Sequence, residues 1–109
     1  MYIEVEEFYM VKLVYDFDRQ LMDKHGVTVD DLLSDLRQYA CDNGSITEIV
    51  EGCFEMDGRD EMCLPAFARK QMHRHPETLS YIKSVNLFVD GKYDADCKKT
   101  VTEFKVRGL

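Results

Sequence analysis

The sequence has no tryptophan, two prolines and six glycines in 109 residues, and no apolar run near the roughly 18 to 20 residues that a membrane helix needs. With no stretch of linker composition either, the chain is expected to form a single domain, 1–109, that does not engage a membrane. The first residues, Met1-Tyr2-Ile3-Glu4-Val5-Glu6-Glu7, are acidic where a signal peptide would be basic, and no small-residue cleavage site follows. A cytoplasmic location is therefore expected. In a reducing compartment the four cysteines, Cys41, Cys53, Cys63 and Cys97, are expected as free thiols.

Chemical signatures are also missing. The cysteines are spread along the chain, whereas a structural zinc site places paired ligands two to four residues apart. His73-Arg74-His75 is a His-x-His pair whose rings diverge on a helix, so a site from Cys63, His73 and His75 is a minor alternative. An EF-hand loop with Gly58 at its sixth position would need oxygen ligands at Cys53 and Leu64, and the register fails. No serine sits in a Gly-x-Ser-x-Gly elbow, and no glycine-rich phosphate loop is present. No cofactor and no metal is expected. An enzyme is disfavoured, with a small metal- or thiol-dependent one kept as second alternative.

What the chain does have is aromatic and charged material. Six Tyr, six Phe and six Met supply a core. The net charge of −7 is uneven, with 16 Asp/Glu against 5 Lys/Arg in residues 1–62, and 5 against 9 thereafter. Acids such as Asp16, Asp18, Asp30, Asp31 and Asp35 suit either ordinary solvated faces or a surface for a basic partner. Arg69, Lys70, His73 and Arg74 cluster on one predicted helix, with Lys98, Lys99, Lys105 and Arg107 further on. These four are the candidate interaction residues. If the basic groups converge they would neutralise phosphates, which makes a nucleic-acid module the first alternative.

Periodicity supplies the predicted elements. Met10, Leu13, Val14, Phe17 and Leu21 recur at helical spacing, favouring one helix over residues 6–24; a strand at 8–15 is the competing reading. Thr28 with Asp31 forms a capping box ahead of Val29, Leu32, Leu33, Leu36 and Ala40, and Asn43-Gly44 ends that helix. Ser45-Ile46-Thr47-Glu48 reads as a second capping box opening a short helix to Cys53, followed by a loop over 54–63. Pro65 opens a helix over 65–74, and Pro76 ends it and starts another short one. Val85, Leu87 and Val89 alternate before Asp90-Gly91, a hairpin signal, with a further strand expected at 100–106.

The expected fold is thus α+β, a mostly helical N-terminal two-thirds packed against a C-terminal antiparallel β-hairpin. The expected function is a non-enzymatic protein-interaction or regulatory domain, with a protein partner or self-association as its mode of action.

Overall fold

The computed structural model describes residues 10–57 and 63–106, omitting the side chains of 57, 63 and 103–106. Its centre is a five-stranded antiparallel sheet in the order β2-β3-β1-β4-β5: β1 (Met10–Phe17), β2 (Ile46–Val50), β3 (Cys53–Asp57), β4 (Ile82–Val89) and β5 (Lys92–Asp96). The helices are α1 (Arg19–His25), α2 (Val29–Asp42), α3 (Cys63–Arg74) and α4 (Cys97–Val106), with a 3₁₀ helix at Pro76–Tyr81. The class remains α+β. The expected mostly helical N-terminal part against a C-terminal hairpin is wrong, because three of the five strands come from the first 57 residues.

Three particular expectations fail for physical reasons. Residues 10–17 form a strand where a helix was expected. Val11, Leu13, Tyr15 and Phe17 alternate with more exposed neighbours, and that period-two stripe packs better than the coincident helical one. Residues 46–57 form the β2–β3 hairpin where a helix and loop were expected. Ser45 bonds Asn43 Oδ1 (2.9 Å) and Glu48 bonds Arg37, so the apparent capping box is not used. The β-branched residues Ile46, Thr47, Ile49 and Val50 favour extended backbone instead. Residues 97–106 form α4, so the strand expected over 100–106 is a helix. Asp96 Oδ1 accepts from the Lys98 N–H (3.0 Å), a helix cap that also accepts from the Val85 N–H (2.9 Å) and so ties the helix start to β4.

Other elements follow their sequence signals. Thr28 and Asp31 exchange side-chain and backbone hydrogen bonds as a capping box (3.1 and 2.8 Å). Asp90 and Gly91 both take positive φ (52° and 82°), which the tight β4–β5 turn requires. Gly52, in the β2–β3 turn, has φ 81°, and a Cβ there would lie 2.9 Å from the Phe17 ring. Only glycine fits.

Topology decides which side of the sheet is covered. β1 crosses to β2 through α1 and α2, passing over β3, and β3 crosses to β4 through α3, passing over β1. The two crossings run in opposite lateral directions between strands of opposite sense. The right-handed rule therefore puts both sets of helices on the same face. Burial agrees: Val11, Leu13, Phe54, Met56, Val85 and Leu87 face the helices and are buried, together with Leu33, Leu36, Leu64, Ala68 and Val101 from above. Tyr39 stacks on Phe67 (4.3 Å, 10°), joining α2 to α3.

An ion pair clamps β2 under α2. The Arg37 Nε and Nη2 donate to the two Glu48 oxygens (2.9 Å each), and Nη1 donates to Asp30 (3.2 Å). Glu48 also accepts from the Gly52 N–H (2.9 Å), so one carboxylate holds both helix and turn. Burial alone would raise the Glu48 pKa, but the Arg37 and Gly52 hydrogen bonds outweigh it and hold the carboxyl below its ordinary value.

Two outcomes are expected. Leu13→Ala, at a fully buried site, lowers unfolding free energy by about 2–5 kcal/mol in chemical denaturation, while exposed Lys83→Ala changes it by less than about 0.5 kcal/mol. Because the Glu48 pKa is depressed by folding, its stabilisation is present at neutral pH and lost as pH falls below the ordinary glutamate value of about 4.3. The parent chain is therefore more stable than Glu48→Gln at pH 7, and the difference in midpoint narrows as the pH falls below that value.

Candidate functional site

The face of the sheet turned away from the helices is the strongest candidate. Strand alternation puts Lys12 and Val14 of β1, Cys53 and Glu55 of β3, and Asn86 and Phe88 of β4 on this side. Met10 lies at its margin, and Tyr93 of β5 sits edge-on to Phe88 with ring centroids 5.8 Å apart. Between them lies a trough of about 460 Å³, lined by Met10, Lys12, Val14, Glu55, Asn86, Phe88 and Gly91. Met10, Val14 and Phe88 are its apolar lining, and Lys12 Nζ lies 3.7 Å from Glu55 Oε2 across it. Tyr93 is 59% exposed, and on edge strand β2 Val50 is 63% exposed. No described helix covers these side chains.

The sequence-derived candidates lie elsewhere and on two sides of α3. Lys70 and Arg74 line a groove against α2, where Asp35, and for Arg74 also Asp42, form the opposite wall. Arg69 turns the other way, towards α4, close enough to Cys97 to act on the thiol's charge. His73 is exposed. Helical geometry explains the division, because residues 69 and 73 share one stripe, and residues 70 and 74 share another. Lys98 and Lys99 are on α4; the side chain of Lys105 and all of Arg107 lie outside the described residues.

The histidines take part in local contacts. His75 follows α3, with Nε2 3.9 Å from Asp35 and Nδ1 3.5 Å from Glu77, so it links α2 to the 3₁₀ helix when protonated. His25 Nδ1 lies 2.7 Å from the Tyr81 hydroxyl. Cys63 opens α3 and His73 lies ten residues on, about 15 Å away along the axis, which separates the ligands of the minor zinc alternative. Among the described residues, no three His, Cys, Asp or Glu side chains converge as a metal would need.

Beneath the helices, Tyr15 and Cys97 form a buried polar neighbourhood. The Tyr15 hydroxyl is enclosed without a hydrogen-bond partner, and burial, with a lesser push from Cys97, raises its pKa well above the ordinary value. Burial also pushes the Cys97 thiol up, against the pull of Arg69. A thiol so placed is a poor nucleophile. Cys53, on the open face, is raised as well, again chiefly by burial.

Sequence alone does not reveal the open face, because its alternation overlaps a helical period in β1, and because the local signals of β2 and β3 favour a helix and a loop. One signal was available: Lys12 and Val14 on one side of the chain, Leu13 and Tyr15 on the other, is the pattern of a half-buried strand. Alkylation at pH 8 followed by mass spectrometry is expected to rank the described thiols as exposed Cys41 first, Cys53 next, and Cys97 reacting only on unfolding. Comparisons with protein-family models, curated proteins and solved structures returned no match for this chain.

Proposed function

We propose that this chain is a non-catalytic protein-interaction domain that makes its contact with the open face of the sheet. The observation that carries the reading is the one-sided architecture. A five-stranded sheet has helices on one side, while the other presents Met10, Val14, Phe88 and Tyr93 around a trough. Antiparallel sheets tolerate one solvated face, but that face is then polar in alternation. Here Met10, Val14, Phe88 and Tyr93 stand among Lys12, Glu55 and Asn86, a mixture of apolar, aromatic and charged groups that suits a contact surface. Free thiols at Cys41, Cys53 and Cys97 suit the cytoplasm, where we place the protein.

The basic helix supports a nucleic-acid reading less well. A phosphate-binding surface gathers its cations on one side. Lys70 and Arg74 instead face an acidic wall on α2, and Arg69 lies on the far side of the helix. A thiol-enzyme reading has little support, because the described thiols with resolved shifts are both made less reactive by burial.

The test uses a photo-crosslinking residue, benzoylphenylalanine, placed in the full chain either at Phe88 or at His73 and irradiated in cells. Covalent protein adducts are expected from position 88 and not from position 73. Adducts confined to position 73 would overturn the reading in favour of the basic helix.

A further inference from the structure

We propose that the occupant of the open face is a second copy of this chain, packed sheet to sheet about a two-fold axis. This rests on the open face being the contact surface and adds the identity of the partner. The axis lies in the plane of contact, parallel to the strands, above the junction of β1 and β3. Such a rotation exchanges β1 with β3 and keeps height along the strands unchanged.

The register makes this face self-complementary under that operation. Lys12 and Glu55 are direct partners on β1 and β3, both partly exposed, with Nζ and Oε2 3.7 Å apart. Rotation therefore sets Lys12 over Glu55 of the second copy, and Glu55 over its Lys12. Two side-by-side pairs become a square of four alternating charges. Any displacement that brought Lys12 over Lys12 would set like charges together at a cost of several kcal/mol. The charge pair thus selects the axis as well as the face.

Apolar groups agree with the same axis. Val14 and Cys53 are also register partners, so each lies over the other across the contact. β4, next to β1, is carried over β2, next to β3, so the Phe88 strand meets the strand bearing exposed Val50. Aligned sheets pack about 10 Å apart with interdigitating side chains, an arrangement this face can form without moving a helix. Four strands of each copy overlap under this rotation, β5 lying beyond β2, and at about 4.8 Å apart and five to eight residues long they offer a flat area on the order of 400 Å² per copy. That is below the roughly 800 Å² per partner of a standard interface, so the dimer is expected to be reversible, with a micromolar Kd.

A charge-swap experiment tests this with the full chain. In sedimentation from about 1 to about 300 µM the parent is expected to pass from monomer to dimer. Lys12→Glu alone, and Glu55→Lys alone, each weaken dimerisation at least about ten-fold. An equimolar mixture of the two variants associates again, because a face carrying two carboxylates meets one carrying two ammonium groups. Restoration on mixing also shows that both variants are folded, and the double variant Lys12→Glu/Glu55→Lys recovers dimerisation by itself.

A parent that stays monomeric throughout overturns the proposal, as does a dimer indifferent to both charge reversals or a mixture that stays monomeric while the double variant and both singles keep the parent's circular dichroism. If a monomeric parent still crosslinks a different protein from position 88, self-association fails and the contact surface stands. If it crosslinks only from position 73, both fail.

Discussion

Everything in this fold hangs on the pairing of β1 along both of its edges. Val14 has Cys53 as partner on one side and Asn86 on the other, so the strand joins two hairpins that share no hydrogen bonds with each other. The crossings that lead into those hairpins each pass over one strand, β3 for the first and β1 for the second, and their common hand sends both to one side. The buried stripe Val11, Leu13, Tyr15 and Phe17 then meets all that those helices supply. One-sidedness is a product of chain order and backbone chirality before any side chain on the open face is considered.

That origin explains why fold and candidate site were legible to different degrees. α2 was readable because Thr28, Asp31 and the Leu32, Leu33, Leu36 stripe are local signals, each satisfied within a few residues. The Asp90-Gly91 turn was readable for the same reason. β1 was not, since its residues fit a helical and an extended period alike, and the choice between them is made by β3 and β4, distant in sequence. The Ser45-x-x-Glu48 motif misled because Glu48 finds Arg37 across the fold and a turn amide beside it, a better set of partners than a helix end provides. The strand expected at 100–106 yielded to a helix capped by Asp96, whose carboxylate also serves β4. Local chemistry was visible in the chain, and long-range competition for the same groups was not.

The charged residues show the same contrast between count and placement. The acidic excess of the first 62 residues is partly consumed in structural tasks: Asp18 caps α1, Asp31 closes a capping box, and Asp30 and Glu48 hold Arg37. The cations grouped in sequence on α3 are parted by helical geometry, some towards α2 and one towards α4. What gathers in space instead is a small apolar and mixed-charge field that no contiguous stretch of sequence contains.

The central position of β1 also sets a clock on synthesis. Its last residue, Phe17, pairs with Ile82, and at roughly 5 to 20 residues per second a ribosome needs about 3 to 13 seconds to make the residues between them. For that interval the middle strand of the sheet has one edge without its permanent neighbour, and its Val-Tyr-Phe stripe lacks the β4 side of the core. Shielding by α2 and the β2–β3 hairpin comes first, so the nascent chain is expected to pass through a half-built sheet with a sticky open edge. Cells making this protein therefore face their chief risk of strand-to-strand aggregation during translation, before the molecule is complete.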